Sequence, residues 1–147
     1  MASEDRRIRA LKDAQKREEN KRCADCTERL PNYIVLDFKT FVCTACSGIH
    51  REFSHRIKSV SLANFTDDEV RAIRKGGNRA SNDLWLAKYD PDRDLPEPDG
   101  SSVEKRREFI RMKYQEKRWY ATTEDLAREA EEQARRASAR ARNEEAR

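Results

Sequence analysis

Four cysteines are the residues of this chain whose type and spacing most clearly indicate chemistry. Cys23 and Cys26 form one Cys-x2-Cys pair, and Cys43 and Cys46 form a second pair after sixteen intervening residues. Each pair can direct two thiolates at one tetrahedral ion, and two pairs at this separation are typical of a zinc site. The pattern uses every cysteine in the chain, so none remains for a catalytic thiol. It therefore predicts one zinc ion held by Cys23, Cys26, Cys43 and Cys46.

The alternative for these cysteines is a disulfide framework, which needs an oxidising compartment. The chain opens with MASEDRRIRA, which contains no apolar segment of the kind that directs a protein to secretion. We therefore expect an intracellular chain whose cysteines are reduced and bind metal. Because all four ligands come from the protein, no coordination position is open to activate water, and the predicted role of the zinc is structural.

Composition predicts a small core and a highly charged surface. Hydrophobic residues make up 36% of the 147 residues and charged residues 41%, so the core must be concentrated in one part of the chain. The net charge of +4 and the pI of about 8.9 are a mild basic bias. This bias is compatible with acidic partners or an anionic membrane surface, but it is well short of a dedicated nucleic-acid binder. No segment is apolar for long enough to span a bilayer.

Hydrophobic periodicity predicts an α+β fold, with a small three-stranded sheet surrounded by about five helices and followed by a C-terminal helix. The predicted strands cover residues 32–36, 40–42 and 57–62. The predicted helices cover residues 3–21, 44–53, 66–75 and 78–89, with a fifth beginning at Ser101. Thr66 and Glu69 form a capping box, and Asn78 and Ser101 are the expected caps of the next two helices.

The sequence divides near Tyr120. Residues 1–120 are expected to form the zinc-binding domain, and residues 121–147 a charged extension rich in Ala, Arg and Glu. Mixed-sign charges support a helix in this extension. We expect it to be exposed, frayed and partly disordered, or to be the start of a longer segment. A partner-binding helix or a spacer is the alternative.

The stretch FVCTACSGIHR resembles the zinc-binding core of the Arf GTPase-activating proteins. In that family the pattern is Cys-x2-Cys-x16-Cys-x2-Cys-x4-Arg, and the four cysteines with Arg51 fit it without a gap. The resemblance continues through IKSVSL, Gly77-Asn78 and KYQEKRWY, and covers about residues 8–120. Tyr33, HREF, HRIKSVS and KRWY are most similar to the branch with Phe-Gly-repeat members and their plant relatives.

The resemblance implies an activator of an Arf-family small GTPase in its GTP form, with zinc as scaffold. The GTPase brings GTP and Mg²⁺, and this chain has no G-x4-G-K-[ST] loop with which to bind GTP itself. Arg51 matches the family's arginine finger, a guanidinium supplied in trans to the transferring phosphoryl group. The resemblance also implies a cytoplasmic protein recruited to Golgi or vesicle membranes. We expect a monomer.

Other assignments of the charged residues near the second cysteine pair compete with this interpretation. Arg51 could be an ordinary surface residue, and Arg56 is a chemical rival as the finger, although it does not fall on the matching position. His50 and His55 could be additional ligands or proton carriers. Because four thiolates already close a zinc site, we expect both histidines to pack or to form hydrogen bonds.

Four positions differ from more typical family members, and they bear on whether the chain is catalytic. Tyr33 replaces a tryptophan, Lys58 an arginine, Ala63 an acid and Phe65 a tryptophan. The second functional hypothesis is therefore a non-catalytic zinc interaction or adaptor module in vesicle trafficking. Nucleic-acid binding is a weaker hypothesis, because acidic residues are nearly as numerous as basic residues. Peripheral membrane association stays open, although the amphipathic segments are too polar to insert unaided.

Overall fold

The computed structural model describes residues 2–147, with side chains from residue 4 onward. Within these residues the chain forms a three-stranded sheet and six α-helices, which confirms the predicted α+β fold. In chain order the elements are α1 (Ala2–Gln15), β1 (Tyr33–Val35), β2 (Thr40–Val42), α2 (Thr44–Glu52), β3 (Ile57–Ser59), α3 (Asp67–Lys75), α4 (Asn78–Trp85), α5 (Val103–Ile110) and α6 (Thr123–Ala146). A π-helical turn, Arg111–Gln115, extends α5.

The sheet is antiparallel, and β1 is its central strand. Tyr33 lies opposite Val42 on β2 and Ser59 on β3, which fixes the register of both pairs. Because successive side chains of a strand point to opposite faces, Tyr33 and Val35 lie on one face and Ile34 on the other. Each face of the sheet therefore contributes its side chains to a separate buried cluster.

A buried cluster covers each face of the sheet. The first cluster joins the strands to α2, α5 and the cysteines: Cys23, Ala24, Cys26, Val35, Val42, Cys43, Cys46, Ile49, Ile110 and Tyr114. The second joins them to α1 and α3: Leu11, Ala14, Ile34, Leu36, Phe41, Val60, Phe65, Val70 and Ile73. Fully burying one such large side chain stabilises the fold by about 1.5–3 kcal/mol. The small sheet is therefore held by helices on both sides.

The first helix ends earlier than the sequence predicts. It stops at Gln15 instead of residue 21, and a 3-10 turn at Glu18–Asn20 follows. Asn20 is fully buried, and its side-chain amide donates to the Ala14 carbonyl at 2.8 Å. Its Oδ1 accepts the backbone N–H of Asn78 at 2.8 Å. Asn20 thus satisfies the end of α1 and the start of α4 together.

Two caps and one strand also differ from the prediction. Gly77 precedes α4 with φ 98°, while the Asn78 side chain instead binds the backbone of β2. Ser102 caps α5 by accepting the Lys105 N–H, one residue after the predicted cap Ser101. β3 ends at Ser59 because the Ser59 hydroxyl accepts the Leu62 N–H and turns the chain. The Thr66–Glu69 capping box of α3 is present as predicted.

The last helix, α6, contributes no residue to the buried core. It begins with a capping box between Thr122 and Asp125 and has no buried residue. Lys88 lies 3.7 Å from Glu129, an ion pair that joins α6 to the residues after α4. No helix in the part of the chain described here is long and apolar enough to cross a membrane.

Candidate metal centre and arginine

The four cysteines converge on one point at the start of α2. Their sulphur atoms all lie within 4.8 Å of one another, and the Sγ atoms of Cys26 and Cys43 are 3.6 Å apart. Cys43 is the N-cap of α2, and Cys46 lies in its first turn. Cys23 and Cys26 come from the loop before β1. All four side chains are buried and none is in a disulfide.

The donor set fits a closed zinc site. A tetrahedral ion with Zn–S bonds of about 2.3 Å separates its sulphurs by about 3.8 Å, which is close to the size of this cluster. Backbone N–H groups of Cys43 and Cys46 donate to sulphurs at 3.3 and 3.4 Å, as such groups do to thiolates. Burial raises the pKa of the Cys23 thiol. A bound divalent cation would lower that pKa again, because it stabilises the thiolate. The cluster is therefore suited to a cation held by four thiolates.

A buried arginine lies beside the thiols. The side chain of Arg106, on α5, is only 6% exposed, and its guanidinium donates to Glu28 at 3.3 Å. Burial by itself lowers the pKa of Arg106, but the neighbouring cysteines, as thiolate anions, raise it above its usual value. A zinc ion with four thiolates is formally doubly negative, so a cation held here offsets part of that charge.

Helix α2 connects the cysteine cluster to Arg51. The cluster holds the first turn of the helix, and Arg51 lies in the last turn with an exposed side chain. Its guanidinium carbon is 5.7 Å from the centre of the Tyr33 ring, within the range of a cation–π contact. Among residues 4–147 no carboxylate pairs with Arg51, although its neighbours His50 and Glu52 are both paired. The Arg51 side chain is thus free to engage another molecule.

The structure places the rival residues in other contacts. Arg56 forms an ion pair with Asp37, with its Nε 3.0 Å from the carboxylate, and this pair holds the pKa of Asp37 down against the effect of burial. His50 is fully buried, and its Nδ1 lies 2.9 Å from Nδ1 of His55. Burial, reinforced by His50, lowers the pKa of His55. Neither histidine is in the cysteine cluster.

A buried polar network links the first cysteine pair to α2 and to the turn after α5. Asp25 is fully buried and accepts hydrogen bonds from His50 Nε2 at 2.6 Å, Lys113 Nζ at 2.7 Å and the Tyr114 hydroxyl at 2.7 Å. Burial alone would raise the pKa of Asp25, but Lys113 and His50 hold it well below its usual range. Burial is the main cause that raises the pKa of Tyr114, and the negative charge of Asp25 adds to the effect.

Sequence reasoning missed this network. Asp25 lies inside the first Cys-x2-Cys pair, and Lys113 and Tyr114 lie at the start of the segment KYQEKRWY, which resembles the family. The partners are 88 and 89 positions apart along the chain. The available signal was a lysine among the large apolar residues Phe109, Ile110, Met112 and Tyr114 of a predicted helix, which a buried partner would explain.

The positions at which the sequence resemblance implies a different residue lie on both sides of the sheet. The Tyr33 ring packs beneath Arg51 on the face of the sheet that carries the cysteine cluster. Lys58 lies on the opposite face, where its ammonium donates to Glu69 at 2.8 Å and to the Asn64 carbonyl at 2.7 Å. It also lies 5.2 Å from the centre of the buried Phe65 ring. Lys58 is therefore engaged within the domain.

Comparison with known proteins identifies the family. Residues 8–123 match the ArfGap family, described as "Putative GTPase activating protein for Arf". The chain is 41% identical over 116 residues to a plant protein, the "Probable ADP-ribosylation factor GTPase-activating protein AGD14" of Arabidopsis thaliana, a match that covers 79% of this chain and 18% of that protein. It is 37% identical over 123 residues to human Arf-GAP domain and FG repeat-containing protein 1, covering 82% and 22% respectively.

A solved structure agrees with these matches. The ArfGap domain of HIV-1 Rev binding protein has a TM-score of 0.75 and 37% identity, over 82% of this chain and 92% of that one. The present chain spans about a fifth of the length of the two curated relatives above. With a family match over residues 8–123, the chain belongs to the ArfGap family, and its relatives include Phe-Gly-repeat-containing animal proteins and a plant protein.

Proposed function

We propose that this chain activates an Arf-family small GTPase in its GTP-bound form and that Arg51 acts in trans as the arginine finger. The observation that carries the proposal is the placement of Arg51, exposed and without a carboxylate partner among residues 4–147, on the helix that begins at the cysteine cluster. A guanidinium stays charged and offers a planar set of donors to a phosphoryl group. In well-studied GTPases such a finger accelerates hydrolysis by about 10³- to 10⁵-fold.

The four cysteines have a structural part in this proposal. One zinc ion would be held by Cys23, Cys26, Cys43 and Cys46. When bound, it would cross-link the loop before β1 to the start of α2. Two of these ligands are the N-cap and a first-turn residue of that helix, so the metal would fix the origin from which Arg51 projects. The Tyr33 ring beneath Arg51 would support the extended side chain. The GTPase would contribute the nucleotide and Mg²⁺.

The proposal extends to the organisation and the place of action. Residues 1–120 would be the activating domain, acting as a monomer in the cytoplasm at Golgi or vesicle membranes. Residues 121–147 would be an extension, since α6 has no buried residue. Limited proteolysis should then remove α6 well before it cleaves residues 1–120. Equal rates of cleavage in the two parts would contradict this division.

A second candidate function is a non-catalytic module that binds the GTPase without activating it. The observation that favours it is Lys58, whose ammonium is held by Glu69 and Asn64 on the face of the sheet away from Arg51. A cation engaged in this way does not assist Arg51 at a nucleotide. This candidate predicts GTP-dependent binding with little change in hydrolysis, and binding that is indifferent to Arg51.

Single-turnover GTP hydrolysis on a panel of GTP-loaded Arf-family proteins separates the two candidates. The activator proposal predicts that the chain stimulates at least one member and that Arg51→Lys removes most of the stimulation. Arg56→Lys is the matched control, because Arg56 is an exposed arginine four residues beyond the end of α2 that is paired with Asp37. Binding without stimulation on every member would favour the module. Full activity of Arg51→Lys would refute the finger assignment.

A further inference from the structure

Arg51 lies between two residues that are each tied to another part of the domain. His50 precedes it, and its Nε2 lies 2.6 Å from the carboxylate of Asp25 in the first cysteine pair. Glu52 follows it and accepts two hydrogen bonds from Arg107 on α5, from Nε at 2.8 Å and from Nη2 at 3.1 Å. The last turn of α2 is therefore attached on both sides of Arg51.

The cysteine cluster alone is too distant to fix this turn. Arg51 lies five residues beyond Cys46, which corresponds to about 7.5 Å of helix at 1.5 Å per residue. Helix ends fray, and α2 has only nine residues. Beyond it the chain leaves the helical conformation, because Ser54 has a positive φ of 64°. Without further contacts the turn that carries Arg51 would be the loose end of a short helix.

We propose that the Glu52–Arg107 ion pair is a positioning pair that holds the last turn of α2, and with it Arg51, in the orientation needed for catalysis. The inference rests on the proposed function, in which Arg51 is the finger. A carboxylate bound by two guanidinium nitrogens restricts rotation as well as distance, which a single contact does not. Small displacements of a group that acts in a transition state have large effects on rate.

The two attachments of this turn differ in their surroundings. His50 and Asp25 are fully buried, so changing either one alters the core as well as the turn. The side chains of Glu52 and Arg107 are 50% and 42% exposed, so changing them leaves the core intact. Arg107 lowers the pKa of the Glu52 carboxylate below its usual value. The exposed pair therefore allows positioning to be tested apart from folding.

The test is Glu52→Gln in single-turnover hydrolysis, with the GTP-loaded Arf-family protein that the wild-type chain stimulates most. We expect the maximum rate to fall by about two- to five-fold, the range for a half-exposed ion pair, with an unchanged half-saturating concentration. In an Arg51→Lys background the same change should cause no further loss, because no finger remains to be positioned. Glu132→Gln, which breaks a 2.6 Å pair with Arg136 on the distant α6, should leave the rate unchanged.

A charge swap distinguishes positioning from direct contact with the GTPase. Glu52→Arg combined with Arg107→Glu restores the ion pair in the opposite sense, and we expect it to restore most of the rate. If Glu52 instead touched the GTPase, the swap would reverse a charge at the interface and deepen the loss. A deeper loss, or a Glu52→Gln rate equal to wild type, would overturn the inference.

Amide hydrogen exchange of residues 50–54 gives a second readout that needs no GTPase. The Ser54 N–H donates to the Arg51 carbonyl at 3.0 Å, so its exchange reports on the end of α2. We expect faster exchange at this turn in Glu52→Gln and no change in α3. If the wild-type chain stimulates no GTPase, the proposed function fails and the catalytic role of the pair fails with it. If it does stimulate and exchange is unchanged in the variant, only the positioning role is wrong.

Discussion

Replacing Lys113 with methionine would test whether the buried charge network stabilises the fold. The side chains of Lys113 and Asp25 are fully buried, and Nζ lies 2.7 Å from the Asp25 carboxylate. The same ammonium donates to the Ala24 carbonyl at 3.0 Å and to Asn82 Oδ1 at 2.6 Å. Methionine fills a similar volume without a charge. The variant would therefore leave a buried carboxylate without the ammonium that pairs with it.

The expected loss is large for a domain of this size. Removing one partner of a buried ion pair costs about 3–5 kcal/mol, compared with a total free energy of unfolding of about 5–15 kcal/mol for a typical domain. The melting temperature should fall by about 10 °C. We would measure urea unfolding at pH 7 with zinc present, following the fluorescence of the buried Trp119. The slope with urea should stay unchanged.

Lys21→Met is the matched control for this prediction. Lys21 also pairs with a carboxylate, at 2.9 Å from Glu18, but both side chains are exposed, so its loss should leave the urea midpoint unchanged. A Lys113→Met midpoint as close to wild type as that of the control would refute the reasoning. It would mean that Asp25 is not held as a carboxylate by Lys113.

Three further predictions follow from the cysteine cluster, the core and the contact between Tyr33 and Arg51. Excess chelator at neutral pH should abolish the cooperative thermal transition measured by circular dichroism, because metal binding free energy is folding free energy; a surviving transition would contradict the four-cysteine site. Phe41→Ala should lower the free energy of unfolding by about 3–5 kcal/mol, since the ring is fully buried between the sheet and α1; a loss under about 1 kcal/mol would mean that the site repacks. Tyr33→Ala should lower the maximum rate of stimulated hydrolysis by about two- to five-fold, as expected for loss of one exposed cation–π contact, whereas Tyr33→Phe should keep it; equal rates for both variants would exclude a role for the ring.

Features encoded over short stretches of sequence were predictable. The spacing of the cysteine pairs predicts their cluster because each Cys-x2-Cys loop brings two thiolates together locally. In the structure the four sulphurs do converge. The Thr66–Glu69 capping box marked the start of α3 because its two hydrogen bonds join residues three apart. Runs of β-branched and aromatic residues located the first two strands and hydrophobic alternation the third, and the errors there are confined to their ends.

Features set by distant residues were not predictable. The end of α1 depends on Asn20, whose other partner, Asn78, lies 58 positions away, and no glycine or proline marks the stop. Asp25 and Lys113 are 88 positions apart, and aspartate and lysine are residue types that usually lie at the surface. The engagement of Lys58 by Glu69 likewise depends on how α3 packs on the sheet. Long-range polar partners of this kind are decided by tertiary packing.

The most direct measurement of the central claim is the dependence of single-turnover GTP hydrolysis on the concentration of the chain, with wild type and Arg51→Lys compared on one GTP-loaded Arf-family protein. An arginine finger acts in the transition state, so the variant should lower the maximum rate by about 10³-fold or more while the half-saturating concentration changes little. The melting temperature and zinc content of the two proteins should match. A variant with the wild-type maximum rate, or one that is impaired only in its half-saturating concentration, would show that Arg51 serves in binding and not in catalysis.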